Sequence, residues 1–531
     1  MATKYWVGGD GVWSSLTNWR TTSGGAIITT PPDLLDAAVL DANSSTNVVT
    51  VDSNITIQTL TCTGFTGTLA FGTNTISLNS TGTIFTGATT MTVTGTPLII
   101  ATNSSATART ITPTAVTEAN SISFRITAGT GSLALTAGAY RDLDFTDGTN
   151  PTGYAGALGN SIITVYGNFK ASTGMTRTAG TGTYTFAATS GTKTIATAGV
   201  TFDNPFIFNG VGGTWQLQDA LTSGSARTTT LTNGTLDLNN LTFTTGFFTS
   251  SNSNTRSIAF GTGNITIIGS GTTVWSNATA TNFTYTGTPT VNVTYSGSVG
   301  TRTIASGQTS SSGTETNSLN FNISAGTDII LFTATARVKN VNFTGFAGTL
   351  SGSSALLCYG NLTYSAGMTV AAATNPTIFG ATSGTQLITT NGKTLDLPLT
   401  FSGIGGTFAF QDALTQGSTK AFTITNGTVQ LKAGVTSTVG ALATSGTTQK
   451  FLQSTLANTQ ATLSQASGTV NASYLTIKDN NAVGGAEWDA FTNQANIDAG
   501  NNDGWDFGIS PVVGGAEYTY ALRSFTQPRR F

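Results

Sequence analysis

The chain has 531 residues, a net charge of −2, 8% charged residues and no histidine. A soluble globular domain carries about 25% charged residues. The near-absence of charge excludes the clustered Lys and Arg of a nucleic-acid-binding protein, and no run of about 18 apolar residues is present to span a membrane as a helix. The missing histidine removes the commonest general base and metal ligand.

Gly (64), Thr, Ser, Asn and Ala dominate, yet there are 29 Phe, 12 Tyr and 7 Trp. Low charge with many aromatics opposes disorder. Thr, Val, Ile and Phe favour strands, while Gly, Asn and Ser supply turns, so the composition predicts β-structure.

Residues 1–50 form a Trp-rich module, a cap or docking element. Its opening, MATKYWVGGDG, lacks an apolar h-region, so no cleavable signal peptide is expected. Trp6, Trp13 and Trp19 sit among Gly-rich turns, where they either cover a core end or present a carbohydrate-stacking platform. Asp33, Asp36 and Asp41 follow Pro31 and Pro32, a pattern that suggests a short helical turn.

Repeats begin near residue 51. GVGGTWQLQDAL at 210–221 returns as GIGGTFAFQDAL at 403–414, with eight of twelve positions identical and an offset of 193 residues. The swaps Val211 to Ile404, Trp215 to Phe408 and Leu217 to Phe410 keep apolar bulk, as duplicated core positions would. The offset holds without a gap over 166–236 against 359–429, so residues 51–245 and 246–435 are tandem copies. Each copy is itself double: Ile111, Ile195, Ile304 and Ile388 recur in one context, each followed by an alternating segment and a Gly-Thr pair such as Gly213 and Thr214 or Gly406 and Thr407.

Within a unit, segments such as 319–323 (LNFNI) alternate apolar and polar residues, the period of a half-buried strand. Asn233 with Gly234 and Asn426 with Gly427 supply turns with positive φ. No amphipathic helix is expected between 51 and 470. Two all-β architectures satisfy this pattern. One is an elongated, parallel β-helix-like solenoid with terminal caps and coils of about 20–25 residues. The other is a string of immunoglobulin-like β-sandwiches. Short strands and the lack of Pro-rich linkers favour the solenoid. Residues 436–510 read as a partial repeat and C-terminal cap, and 511–531 as a basic tail with Arg523, Arg529 and Arg530.

Candidate chemistry is sparse. Asp142 and Asp144 would share one face of a strand, and paired carboxylates can serve as acid and base in polysaccharide cleavage. The second copy has Asn340 and Asn342 there. Asp219 and Asp412 recur beside Gln218 and Gln411, which points to hydrogen bonds from turn amides. Asp498 and Asp503 lie in a run resembling a calcium loop but without its spacing. Cys62 and Cys358 fall in apolar slots as free thiols. No cofactor is expected.

Both ends carry a resemblance. Tyr5, Trp6, Val7, Gly8, Gly9, Asp10 and Gly11 with Trp13, Asn18 and Trp19 resemble the opening of repetitive β-rich structural proteins of tailed bacteriophages. The closing residues 474–479, 484–488 and 501–505 do likewise, and similar Thr/Gly/Asn-rich arrays occur in bacterial surface adhesins. The resemblance implies a non-enzymatic virion component: a fibre, tail or capsid decoration assembled in the host cytoplasm. Its expected partners are other virion proteins, copies of itself as a homo-oligomer, and a host-surface glycan, without nucleic acid or membrane insertion. The alternatives are a bacterial surface adhesin and a polysaccharide-degrading β-helical spike.

Overall fold

A computed structural model describes residues 1–113, 115, 117–306, 314–333 and 335–509. The basic tail with Arg523, Arg529 and Arg530 lies outside them. The chain is all-β, and stacked parallel strands form a β-solenoid of about 21 turns. At about 4.8 Å per coil this is a rod roughly 100 Å long. Separate sandwiches are ruled out, because each coil pairs with the next along the whole stack. The described helical residues are two single 3₁₀ turns, Ala42–Ser44 and Thr492–Gln494. Asp41 caps the first; the segment after Pro31 and Pro32 forms only a hydrogen-bonded turn closed by Asp33 and Asp36, not a helix.

The alternation explains the strands. In Leu319–Ile323, Leu319, Phe321 and Ile323 are buried and Asn320 and Asn322 face outward. Inward residues of successive coils stack: Phe186 on Phe208 at 5.3 Å and, one copy later, Phe379 on Phe401 at 5.1 Å. Each such ring buried from water contributes about 2–3 kcal/mol.

The first coil is closed by an antiparallel pairing of Thr3–Trp6 with Trp19–Arg20; every other strand pair among the described residues is parallel. Trp6, Trp13 and Trp19 pack edge to face beneath it. At the other end Trp488 meets Trp505 at 4.9 Å, and the Trp505 Nε1–H donates to Asn480 Oδ1. Both ends thus cover the core with indole rings.

The two copies are not in line. Strand pairing climbs from Ile163 through Tyr184, Phe206, Thr228, Phe247, Thr273, Thr301 and Ile329 to Thr349. The counterpart of Ile163 is Leu356, in the strand after Thr349–Ser351. The offset is therefore eight coils plus one face, and the second copy is turned one face around the rod.

A β-bulge opens the new face. Ile122 pairs with Tyr140 but Phe124 with Leu143, so Arg141 and Asp142 together oppose Ser123. Beyond it the first half of Gly138–Asp144 pairs with Ile163–Val165 and the second with Phe169–Lys170. The second copy repeats the device: Leu319 pairs with Val338 and Phe321 with Val341, and the strand divides between Leu356–Cys358 and Leu362–Thr363.

Candidate functional site

The bulge is also where charge gathers. Along one outward column the Ser123 hydroxyl donates to Asp142 Oδ2 at 2.7 Å. Asp142 Oδ1 accepts from the Asn168 amide (2.7 Å) and side chain (3.1 Å). Asn168 Oδ1 in turn accepts from the Thr194 amide and hydroxyl, both at 2.9 Å. In the adjacent column Arg125 Nε meets Asp144 Oδ2 at 3.1 Å, and Asp144 Oδ1 accepts from the amide and hydroxyl of Thr146. Lys170 follows Asp144 in register. A cavity of about 410 Å³ lies over these residues, with Pro97 and Leu98 as its apolar wall.

The second copy serves as an internal control. Asn340 replaces Asp142, and its Oδ1 accepts from the Asn361 amide at 2.6 Å. Asn342 replaces Asp144, and its Oδ1 accepts from the amide and hydroxyl of Thr344 at 3.0 and 2.7 Å. The structural work of both carboxylates is thus done equally by amides. What the first copy adds is charge: Arg125, Asp142, Asp144 and Lys170 stand where the second has Asn322, Asn340, Asn342 and Thr363. The two Asp do share one face and one cavity, and both are held by hydrogen bonds.

The other candidates fall elsewhere. Trp6, Trp13 and Trp19 are at most 1% exposed. Rings enclosed in the first coil offer no stacking face, so of the two readings the rings cover a core end and the carbohydrate platform is excluded; the Trp19 Nε1–H donates to the Trp13 carbonyl. Asp498 Oδ1 accepts from the Gly500 amide and Asn502 side chain, and Asp503 Oδ2 from Gln460. Both are engaged in the last coils, and among the described residues no cluster of three metal-ligating side chains occurs. Cys62 and Cys358 are buried free thiols, pushed up to about 12 by burial.

The repeat marks take matched structural places. Asp219 accepts from the Thr197 and Ala198 amides, and Asp412 from those of Thr390 and Asn391. Ala198 and Asn391 have φ near +50°, so each carboxylate supports a left-handed turn. Gly234 and Gly427 have φ of 79° and 76°, and Asn233 and Asn426 each donate to the coil below. A Cβ at Gly213 or Gly406 would fall 2.1 Å from a carbonyl oxygen of the preceding coil, that of Ala188 or Ala381, while Thr214 and Thr407 begin the strand segments that follow. Trp215, Phe408, Leu217 and Phe410 are buried. Val211 and Ile404 are not: they are 69% and 64% exposed at a corner where the chain bulges outward, so their shared bulk is a repeated surface feature and not core.

Composition pointed to acids and passed over the basic residues Arg125, Arg141, Lys170 and Lys193. The available signal was their loss in the second copy, as Asn322, Thr363 and Gln386, with only Arg141 keeping its charge as Lys339. Also missed was a staple: Glu118 reaches 71 residues along the chain to the Thr189 amide and hydroxyl, and Glu315 repeats it 67 residues along to Thr382.

Comparison of the chain with protein-family models, curated proteins and solved structures found no match.

Proposed function

We propose that this chain is a non-enzymatic structural or adhesive rod of a bacteriophage particle, serving as a fibre, tail or decoration component. The observation that carries the rod is the unbroken stack of coils with an indole-covered core at each end. Such a stack leaves strand edges only at its ends and needs few charges for solubility. The particle rests on the resemblance of the terminal motifs. The exposed Val211 and Ile404, repeated one face apart, fit contacts with copies of the same chain or other particle proteins.

A second reading, a polysaccharide-cleaving spike, draws on one observation: Asp142 and Asp144 face the same cavity. Against it, asparagines hold the same hydrogen bonds in the second copy. Density-gradient fractionation of a producing culture tests the proposal. The chain should co-sediment with particles at a fixed ratio to the other particle proteins; recovery only as free monomer would refute it.

A further inference from the structure

The charges at the bulge form more than a variant of the ladder. Arg125 is committed to Asp144. Arg141 reaches only backbone, with Nη2 3.3 Å from the Ala119 carbonyl. Lys170 is exposed and Lys193 partly so, and neither ammonium has a hydrogen-bond or ion-pair partner among the described residues. In a chain with 21 basic residues, two unpartnered cations and an arginine held only by carbonyls converge on one face.

The space over them is continuous. The 410 Å³ cavity shares Arg141, Asp142 and Asn168 with a second of about 360 Å³ that Lys193 and Glu118 line. Together they run from the coil of Thr75 to that of Thr194, five pairing steps, or about 24 Å along the rod axis. That is the length of several linked pyranose rings.

We propose that this groove binds an acidic polysaccharide segment, its carboxylates taken by Lys170, Lys193 and Arg141 and its hydroxyls by the ladder of Asp142, Asn168 and Asp144. Charge sign and pattern select this ligand. Isolated cations suit spaced carboxylates, and flanking carboxylates accept sugar hydroxyls. The same Asp142 and Asp144 oppose the continuous phosphates of a nucleic acid, and the groove has one partly exposed ring, Tyr166 near Lys193, in place of the row of rings on which successive bases stack. Partly exposed Leu98, backed by buried Pro97, offers an apolar edge for a ring face. The second copy, with Thr363 and Gln386 in place of the two lysines, has lost this pattern. The groove is made of the first copy's own residues, so the inference stands whether or not the chain belongs to a particle.

The test is calorimetric titration of the full chain with oligogalacturonate, hyaluronan and alginate hexasaccharides. Maltohexaose, inorganic phosphate and a single-stranded oligonucleotide are the comparison arms. Lys170→Thr and Lys193→Gln install the residues of the second copy, so the fold is expected to survive, and circular dichroism checks this. The proposal predicts saturable binding of at least one acidic hexasaccharide, weakened by added salt, with each substitution costing at least five-fold in Kd and maltohexaose inert. Three results overturn it: no saturable binding of any acidic probe, binding unchanged in both lysine variants, or phosphate or the oligonucleotide binding as tightly as the saccharides.

Discussion

Replacing Asp142 and Asp144 together by Asn should leave the rod almost as stable as before. Asp142→Asn keeps an oxygen for the Asn168 amide, and its new amide donates to the Ser123 hydroxyl, as Asn340 donates to Asn320 at 2.6 Å. Asp144→Asn keeps the acceptor for Thr146 and loses the ion pair with Arg125. That pair spans 3.1 Å with its side chains 33% and 12% exposed, a setting in which such pairs contribute about 0–1 kcal/mol. The expected total is therefore about 1 kcal/mol. Alanine at both sites strips the acceptors from two backbone amides, at about 1–3 kcal/mol for each group left buried and unbonded. The measurement is urea unfolding followed by far-UV circular dichroism, comparing midpoints on the same transition because long repeat arrays depart from two-state behaviour. If the Asn pair is as damaging as the Ala pair, the second copy is not a valid control and the carboxylate charges do structural work that the ladder argument denies them.

Three other perturbations probe the scaffold. Arg256 is 2% exposed, and its guanidinium serves the carbonyls of Ser250, Asn254, Thr279 and Thr281; Arg256→Met should cost about 3–5 kcal/mol by urea midpoint, while Arg256→Lys should cost less, since Lys450 fills the matching corner and reaches the Ser473 carbonyl at 3.1 Å. A Cβ on Gly210 would stand 1.9 Å from the Ala188 carbonyl oxygen, whereas at Gly191 it meets open space at φ +66°; thermal unfolding should therefore show Gly210→Ala losing more than about 3 kcal/mol and Gly191→Ala only about 1 kcal/mol. Burial tends to raise the Asp36 carboxyl, but its bonds to Lys4 and Asp33 outweigh this and hold it below 3.8. The pair's contribution is thus fully present above pH 3.8 and lost as pH falls through the lowered value. Acid titration of wild type against Lys4→Met should show that loss in the first alone.

The strand pattern was legible because alternation and Asn-Gly turns are local. Asp219 and Asp412 were legible because recurrence separates scaffold from site. The turn between copies was not, since coils within the two copies range from 18 residues between Ile122 and Tyr140 to 30 between Thr273 and Thr303. An offset of 193 residues therefore does not disclose a fraction of a coil. Val211 and Ile404 misled for a related reason: preserved bulk looks the same on a corner as in a core. The Trp cluster was ambiguous because a ring covering a core end and one facing a sugar share the same sequence context. Lys170 and Lys193 stood out only when the two copies were superposed in register.

The rod's place in an assembly is tested most directly by electron microscopy of the native particle with a label at one terminus of the chain. The expected image is an unbranched rod about 100 Å long, anchored at one end. A string of beads, or label found on free globular molecules away from any particle, would contradict it.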